Sequence, residues 1–107
     1  MTATISDFYN RTTKTFTVTI TYTGVNDFTG DSLRLIMKYS DTSPDINKTV
    51  SLTSGGVGTY TLDTSDTDID ARAYLTYIQW ERADGSKFTV PLDSNIVTVK
   101  ENPVPTT

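Results

Sequence analysis

The sequence predicts an all-β fold, an antiparallel β-sandwich of about seven strands. Apolar and polar residues alternate with a period of two along most of the chain, and no stretch sustains the period of a helix. Clusters of Gly, Asp and Ser separate the alternating segments, as turns between short strands do. With 107 residues the chain has the size of one domain. We therefore expect a single sandwich over residues 1–100 and a flexible tail or linker over residues 101–107.

The first long strand is predicted between Lys14 and Thr23. The even-numbered positions from Phe16 to Tyr22 are apolar, whereas Thr occupies the odd-numbered positions from 15 to 23. Because successive side chains of a strand point to opposite faces, one face is buried and the other is solvated. β-branched Thr suits a solvated strand face, and this accounts for much of the abundance of Thr in the chain.

The later elements follow from the same alternation and from the turn residues between them. A second strand over residues 32–39 directs Leu33, Leu35, Met37 and Tyr39 inward. The remaining elements, in chain order, are a loop at 41–45, a hairpin of strands 48–53 and 57–62, a polar connector at 63–70 with room for one helical turn, a hairpin of strands 74–82 and 87–92, and a closing strand at 95–100.

Two registers are open for the hairpin of strands 74–82 and 87–92. A two-residue turn places Arg82 opposite Lys87, whereas a three-residue loop ending in a Gly bulge places Glu81 opposite Lys87. The second register also pairs Trp80 with Phe88, so aromatic pairing and charge both favour it. The residues that it sends to the core are Tyr74, Ile78, Trp80, Phe88, Val90 and Leu92.

This register leaves large apolar residues on the outer faces of strands. Leu75 and Tyr77 alternate with the inward residues of their strand, and Ile36 is forced outward between Leu35 and Met37. Three such residues, Ile36, Leu75 and Tyr77, are our candidates for a protein–protein contact surface. The alternative is that each is an isolated surface apolar residue, which is common and needs no partner.

Composition and charge exclude several classes of function. The chain has no Cys and no His, which removes disulfides, thiol nucleophiles and imidazole-based catalytic triads. The formal net charge is −4 and the basic residues are scattered along the sequence, so we expect no nucleic-acid partner. No apolar run approaches the length of a membrane span and no signal peptide is visible, so we expect no membrane partner.

Carboxylates are the remaining candidates for chemistry. Asp66, Asp68 and Asp70 alternate in the 63–70 connector and are weak candidates for Ca²⁺ ligands. The pattern of a calcium-binding helix–loop–helix fails, however, because Ala71 and Tyr77 stand where it needs Gly and Glu. We favour a solvated loop capped by Asp or Ser, with no metal and no other cofactor. A compact sandwich offers little cleft for a pair of catalytic carboxylates, so we expect no enzymatic activity.

Three segments of the chain resemble a known family. They are residues 28–35, residues 73–80 together with 84–90, and residues 96–99. In this order they are similar to the immunoglobulin-like N-terminal domain of the baseplate upper proteins of tailed phages, and to related small tail and head proteins. The resemblance covers most of residues 14–100, although Phe28 stands where the family more often has Leu. It implies an immunoglobulin-like sandwich. Residues 70–74 also resemble the corner before strand F of immunoglobulin-like folds, where the Tyr hydrogen-bonds back to the chain, although no Cys follows Tyr74 two positions later.

The resemblance implies a non-enzymatic structural protein of the virion, in the tail or baseplate or attached to the capsid. Its partners are then other virion proteins, with several symmetric copies as a further expectation. Its location is the virion, after synthesis in the host cytoplasm.

The alternative function is a carbohydrate-binding or adhesive sandwich, assisted by Ca²⁺ at the alternating Asp residues, in which Tyr77 or Tyr60 stacks on sugar rings.

Overall fold

A computed structural model describes residues 3–39 and 44–103 of the chain, so most of the predicted loop at 41–45 lies outside the described residues. These residues form strands and connecting turns, with no helix among them. There are eight strands where the sequence predicted about seven, because a short N-terminal strand was not foreseen. In chain order the strands are β1 (Phe8–Tyr9), β2 (Lys14–Thr19), β3 (Ser32–Lys38), β4 (Ile46–Ser51), β5 (Val57–Leu62), β6 (Arg72–Glu81), β7 (Lys87–Val90) and β8 (Ile96–Lys100).

The strands form two sheets, which confirms the all-β prediction and is compatible with a sandwich. The larger sheet has the order β1-β8-β6-β3-β4, with β7 also paired to β6, and the smaller sheet is formed by β2 and β5. The predicted hairpin of strands 48–53 and 57–62 is wrong, because β4 pairs with β3 and β5 pairs with β2, so the chain crosses from one sheet to the other between them. The period of two showed the faces of these strands but not their partners. β6 is the central strand, because β3 pairs with one of its edges while β8 and β7 pair with successive halves of the other edge. All pairs are antiparallel except that of β1 with β8, which is parallel.

The core lies between the inner faces of the two sheets, as the alternation predicted. The largest fully buried side chains include Trp80 and Tyr74 from β6 and Tyr60 from β5. Leu33, Leu35 and Met37 of β3 are also fully buried, whereas Tyr39, expected inward, lies beyond the strand and is exposed. Each strand of the core thus contributes every second side chain, which is the arrangement that removes most apolar surface from water.

The register predicted for the hairpin of β6 and β7 is confirmed. Trp80 lies opposite Phe88 and Glu81 lies opposite Lys87. The loop closes with a hydrogen bond of 2.9 Å from the Gly85 N–H to the Arg82 carbonyl, and Gly85 has a φ of 92°. A positive φ is the conformation that a Gly bulge supplies at low cost.

The core prediction fails in part at the open end of this hairpin. Phe88 points inward, but 38% of it is exposed, because β7 is a short edge strand that pairs with β6 and with no other strand of the described residues. Its ring packs against Trp80 at 5.0 Å and against Tyr22 at 5.9 Å. Tyr22 itself is 51% exposed and follows the end of β2, which stops at Thr19 and not at Thr23. Leu92 is half-buried.

Tyr74 forms the contact that the resemblance implied. Its hydroxyl donates a hydrogen bond of 2.7 Å to the Asp70 carbonyl, four positions upstream. Burial raises the pKa of the Tyr74 hydroxyl, and the carboxylate of Asp45 raises it further. The bond ties the start of β6 to the end of the 63–70 connector.

The first two residues of the expected tail are held to the body of the protein. Arg11 donates to the Glu101 carboxylate at 2.9 Å, and the Asn102 N–H donates to the side-chain oxygen of buried Asn10 at 2.9 Å. The hydrogen bond from Arg11 lowers the pKa of Glu101. Residues 104–107 lie outside the described residues.

Tyr60 carries a buried hydroxyl that has no hydrogen-bond partner among the described residues. Replacing Tyr60 with Phe should therefore raise the free energy of unfolding by about 1 kcal/mol at pH 7, since the uncompensated desolvation of the hydroxyl is removed. Burial also raises the pKa of Tyr60, so the folded protein keeps this phenol neutral at pH values at which the unfolded chain ionises, and stability is independent of this group well below pH 10. The native protein then loses stability as the pH rises above 10, because the unfolded chain ionises first.

Urea denaturation at pH 7 and at several values above pH 10 measures both effects. The gain from Tyr60→Phe should grow with alkaline pH, because the variant has no phenol at this position to ionise. Tyr74→Phe is the matched control, because it removes a phenol oxygen that does have a hydrogen-bond partner. It should lower the free energy of unfolding by about 1 kcal/mol at pH 7. A loss of stability in Tyr60→Phe would contradict the interpretation.

Candidate docking surface

The outer face of the larger sheet brings the three candidate contact residues together. Ile36 of β3 lies directly opposite Tyr77 of β6. Leu75 precedes Tyr77 by two positions on β6, so both side chains lie on the same face. On the other side of β6, Leu75 lies opposite Ile96 of β8. Cross-strand neighbours of this kind are close enough for their side chains to touch. The four residues Ile36, Leu75, Tyr77 and Ile96 therefore form one group, which we call the outer patch.

The members of the outer patch are not equally exposed. Leu75 is 45% exposed and Ile96 is 51% exposed, whereas Tyr77 is half-buried. The expectation that Ile36 is exposed is wrong, because only 8% of it is accessible. Ile36 does face outward and is not part of the main core cluster, but its strand lies between two others, so the neighbouring side chains cover it. It supports the patch from below.

Ile96 belongs to the patch but was not among the predicted residues. The alternation of β8, in which Val97 and Val99 are buried, places Ile96 and Thr98 outward. The sequence therefore contained the signal for its direction. What it did not contain was the pairing of β8 with β6, which sets Ile96 beside Leu75.

Four of the nine basic residues of the chain lie on this outer face, although they are scattered in the sequence. Lys38 lies opposite Leu75, and its Nζ is 5.9 Å from the centre of the Tyr77 ring. The other three basic residues are Arg34, Lys87 and Lys100, by the alternation of their strands. On the strands of this face only Glu81 opposes them, and it lies opposite Lys87. The outer patch thus has Lys38 beside its apolar centre, and the other three cations lie farther along the same face, in a chain whose net charge is −4. The Asp7 carboxylate is also near this face, where it accepts from the Thr98 N–H at 2.9 Å.

The alternating acids of the 63–70 connector form a loop, as favoured from the sequence. Asp63 caps one helical turn: its carboxylate accepts from the N–H groups of Ser65 at 3.0 Å and Asp66 at 2.9 Å, and the Thr67 N–H donates to its carbonyl at 3.1 Å. Two hydrogen bonds lower the pKa of Asp63: the larger effect comes from the Ser65 hydroxyl and the smaller from the Asp66 N–H. These are the interactions of a capped turn.

The predicted calcium candidates are not brought together. The Asp66 carboxylate accepts from Lys48 Nζ at 2.9 Å, and Asp70 pairs with Arg72 at 3.2 Å. Asp68 is exposed and lines a shallow depression with Thr64 and Ser65. Within residues 3–39 and 44–103, no three acidic side chains lie close enough together to hold a metal ion.

The ion pair of Lys48 with Asp66 brings an amine and a carboxylate together at 2.9 Å. It lies in a second shallow depression, which Asp45 and Asp68 also line. The hydrogen bond to Asp66 raises the pKa of Lys48, so the amine stays protonated at neutral pH. A lysine that acts as a nucleophile or a general base needs the opposite shift.

Of the two tyrosines proposed to stack on sugar rings, Tyr60 is excluded. It is fully buried in the core, where it stacks on Phe16 at 5.0 Å. Tyr77 lies in the outer patch with Lys38 near its ring.

None of the described residues belongs to a helix that could cross a membrane. Neither the models of known protein families nor the curated protein sequences include one that matches this chain.

Proposed function

We propose that this protein is a non-enzymatic structural module of a tailed-phage virion, with an immunoglobulin-like fold, that docks onto other virion proteins through its outer patch. The single observation that carries the docking mechanism is the adjacency of Leu75, Tyr77 and Ile96 on one exposed sheet face. The assignment to a virion rests on the resemblance of three sequence segments to the baseplate family.

The strand order supports the immunoglobulin-like topology. In that fold, strands C, F and G form one sheet, and strands B and E belong to the other. Here β3, β6 and β8 are neighbours in the larger sheet, and β2 pairs with β5 in the smaller one. The hydrogen bond of Tyr74 at the start of β6 is the matching corner contact. Thr76, which is buried, occupies the position of the second Cys.

The charges around the outer patch favour one kind of partner surface. An apolar centre gains free energy from burial in a dry contact, whereas the cations on the same face favour carboxylates or carbonyl oxygens at the edge of the partner. We therefore propose that the partner presents apolar side chains surrounded by acidic groups. Such an interface should weaken as the salt concentration rises.

Replacing Leu75 with Glu tests this surface. Leu75 is 45% exposed, so the fold should lose less than about 1 kcal/mol of stability, while a charge enters the centre of the contact. We expect incorporation of the variant into particles to fall about tenfold or more. The measurement is quantitative mass spectrometry of purified particles that are assembled from the genome encoding this chain, complemented with either version of the protein.

Thr61→Glu is the control. Thr61 is exposed on β5 of the smaller sheet, opposite Thr15, so the same charge is placed away from the outer patch and its cations. This variant should incorporate as the native protein does. Absence of the native chain from purified particles would refute the virion assignment, and equal incorporation of the Leu75 variant would refute the role of the patch.

A further inference from the structure

The smaller sheet leaves one edge of β2 without a partner strand. β2 pairs with β5 alone, from Lys14 opposite Leu62 to Thr19 opposite Val57. The Ile20 N–H continues the pairing, with a hydrogen bond of 2.8 Å to the Gly56 carbonyl. Since the direction of the backbone N–H and C=O groups alternates along a strand, those of the even-numbered residues of β2 point toward β5. The backbone groups of Thr15, Thr17 and Thr19 therefore point away from β5, and no backbone hydrogen bond joins them to any described residue.

The other strand edges in the described part of the chain are shorter or protected. β1 has only two residues, and β7 begins with Lys87 and is followed by Pro91, which has no N–H to donate. β4 carries the inward-facing Lys48, and such a charge discourages a further strand. The far edge of β5 is partly closed, because the Val57 carbonyl accepts from the Thr53 N–H at 2.9 Å.

β2 has none of these protective features along its middle. It contains no Pro and no Gly, and its one charged residue, Lys14, lies at its start. Its composition of Thr, Val and Phe favours an extended strand. An added strand would extend this sheet of two strands and give the outward-pointing backbone groups of β2 hydrogen-bond partners.

The sequence of β2 is complementary to itself in an antiparallel arrangement. If a two-fold axis passes beside Thr17, each Thr17 lies opposite the same residue of a second copy, and Thr15 lies opposite Thr19. The outward-pointing backbone groups then meet as hydrogen-bonded pairs, and Thr side chains pair on the solvated face. On the inner face Phe16 lies opposite Val18. Lys14 lies opposite Ile20, so no like charges face each other.

We propose that two copies of this chain associate through β2, which joins their smaller sheets into one four-stranded sheet of order β5-β2-β2-β5. The contact is isologous, as a two-fold axis requires, and it closes both open edges at once. It uses the face of the molecule that does not carry the outer patch, so a dimer leaves both patches available.

Thr17→Lys tests the proposal. Thr17 is exposed and its side chain lies on the solvated face, so the monomer should fold, but two Lys side chains face each other at the two-fold axis. Light scattering of the full chain after size-exclusion chromatography should show a dimer for the native protein at micromolar concentration. For the variant we expect a dissociation constant at least about tenfold higher.

Thr59→Lys is the matched control, because Thr59 is the exposed residue opposite Thr17 on β5 and lies one strand farther from the axis. It should remain dimeric. An equimolar mixture of Thr17→Lys and Thr17→Glu should recover the dimer, since opposite charges then meet. A native protein that is monomeric at hundreds of micromolar, or a dimer that Thr17→Lys does not weaken, would overturn the proposal.

Amide hydrogen exchange of the native protein tests the same contact without a variant. The N–H groups of Thr15, Thr17 and Thr19 should become more protected as the protein concentration rises, whereas that of Thr59 should not. Protection that is independent of concentration would contradict the edge-to-edge dimer.

Discussion

Replacing Asp31 with Ala is expected to lower the free energy of unfolding by about 3 kcal/mol. Asp31 is only 2% exposed, and its carboxylate accepts three hydrogen bonds: from the Trp80 indole at 3.0 Å, from Arg82 Nε at 3.1 Å and from the Ala83 N–H at 3.0 Å. Truncation leaves the indole and backbone N–H groups without an acceptor. The cost for Arg82 is smaller, because 30% of its side chain is in contact with solvent.

Urea denaturation followed by Trp80 fluorescence and by circular dichroism measures this loss. Asp84→Ala is the control. Asp84 is an exposed acid in the loop between β6 and β7, which also contains Ala83, and its carboxylate accepts from the Ser86 N–H at 2.9 Å. This replacement should cost less than about 1 kcal/mol. Similar losses from the two variants would show that Asp31 does not anchor the loop of this hairpin to the start of β3.

Replacing Gly56 with Ala is expected to cost about 3 kcal/mol. Gly56 has a φ of 85°, which is unfavourable for a residue with a Cβ. An added Cβ would also lie 2.8 Å from the Ile20 carbonyl oxygen and 3.0 Å from the Phe28 ring. The backbone cannot easily move away, because the Gly56 carbonyl accepts the hydrogen bond from Ile20.

Gly24→Ala separates the two causes of this cost. Gly24 has nearly the same φ, 88°, but an added Cβ there meets no atom within 4 Å. The free energy of unfolding of Gly24→Ala should therefore fall by only about 1 kcal/mol, the cost of placing a residue with a Cβ at positive φ. Thermal unfolding of both variants gives the comparison, and equal losses would contradict the steric argument.

Local patterns in the sequence predicted much of the fold. The period of two assigned the inner and outer faces of β3, β6 and β8, and the pairing of Glu81 with Lys87 selected the hairpin register. Both signals come from residues that are close in the chain. The helical turn capped by Asp63 is predictable for the same reason, since all of its donors lie within four positions.

The remaining features depend on the order of strands in the sheet, which no local pattern determines. β1 is two residues long and has no periodicity, and its position is set by β8, far along the chain. The sequence showed the direction of Ile36 but not the neighbours that cover it. Equally, Arg34, Lys38 and Lys100 are scattered in the sequence, and only the pairing of β3, β6 and β8 brings them to one face.

The parallel pairing of β1 with β8 determines how the fold bears a mechanical load. Ala3 lies beside Leu92 and Tyr9 lies beside Lys100, so residues 3 and 103 are near opposite ends of this edge. A force that pulls those two residues apart acts along both strands. The hydrogen bonds between them, and those of Asn10 with Lys100 and Asn102, are then loaded together in shear instead of opening one after another. A module under tension along this axis would resist extension through the edge that the sequence alone did not reveal.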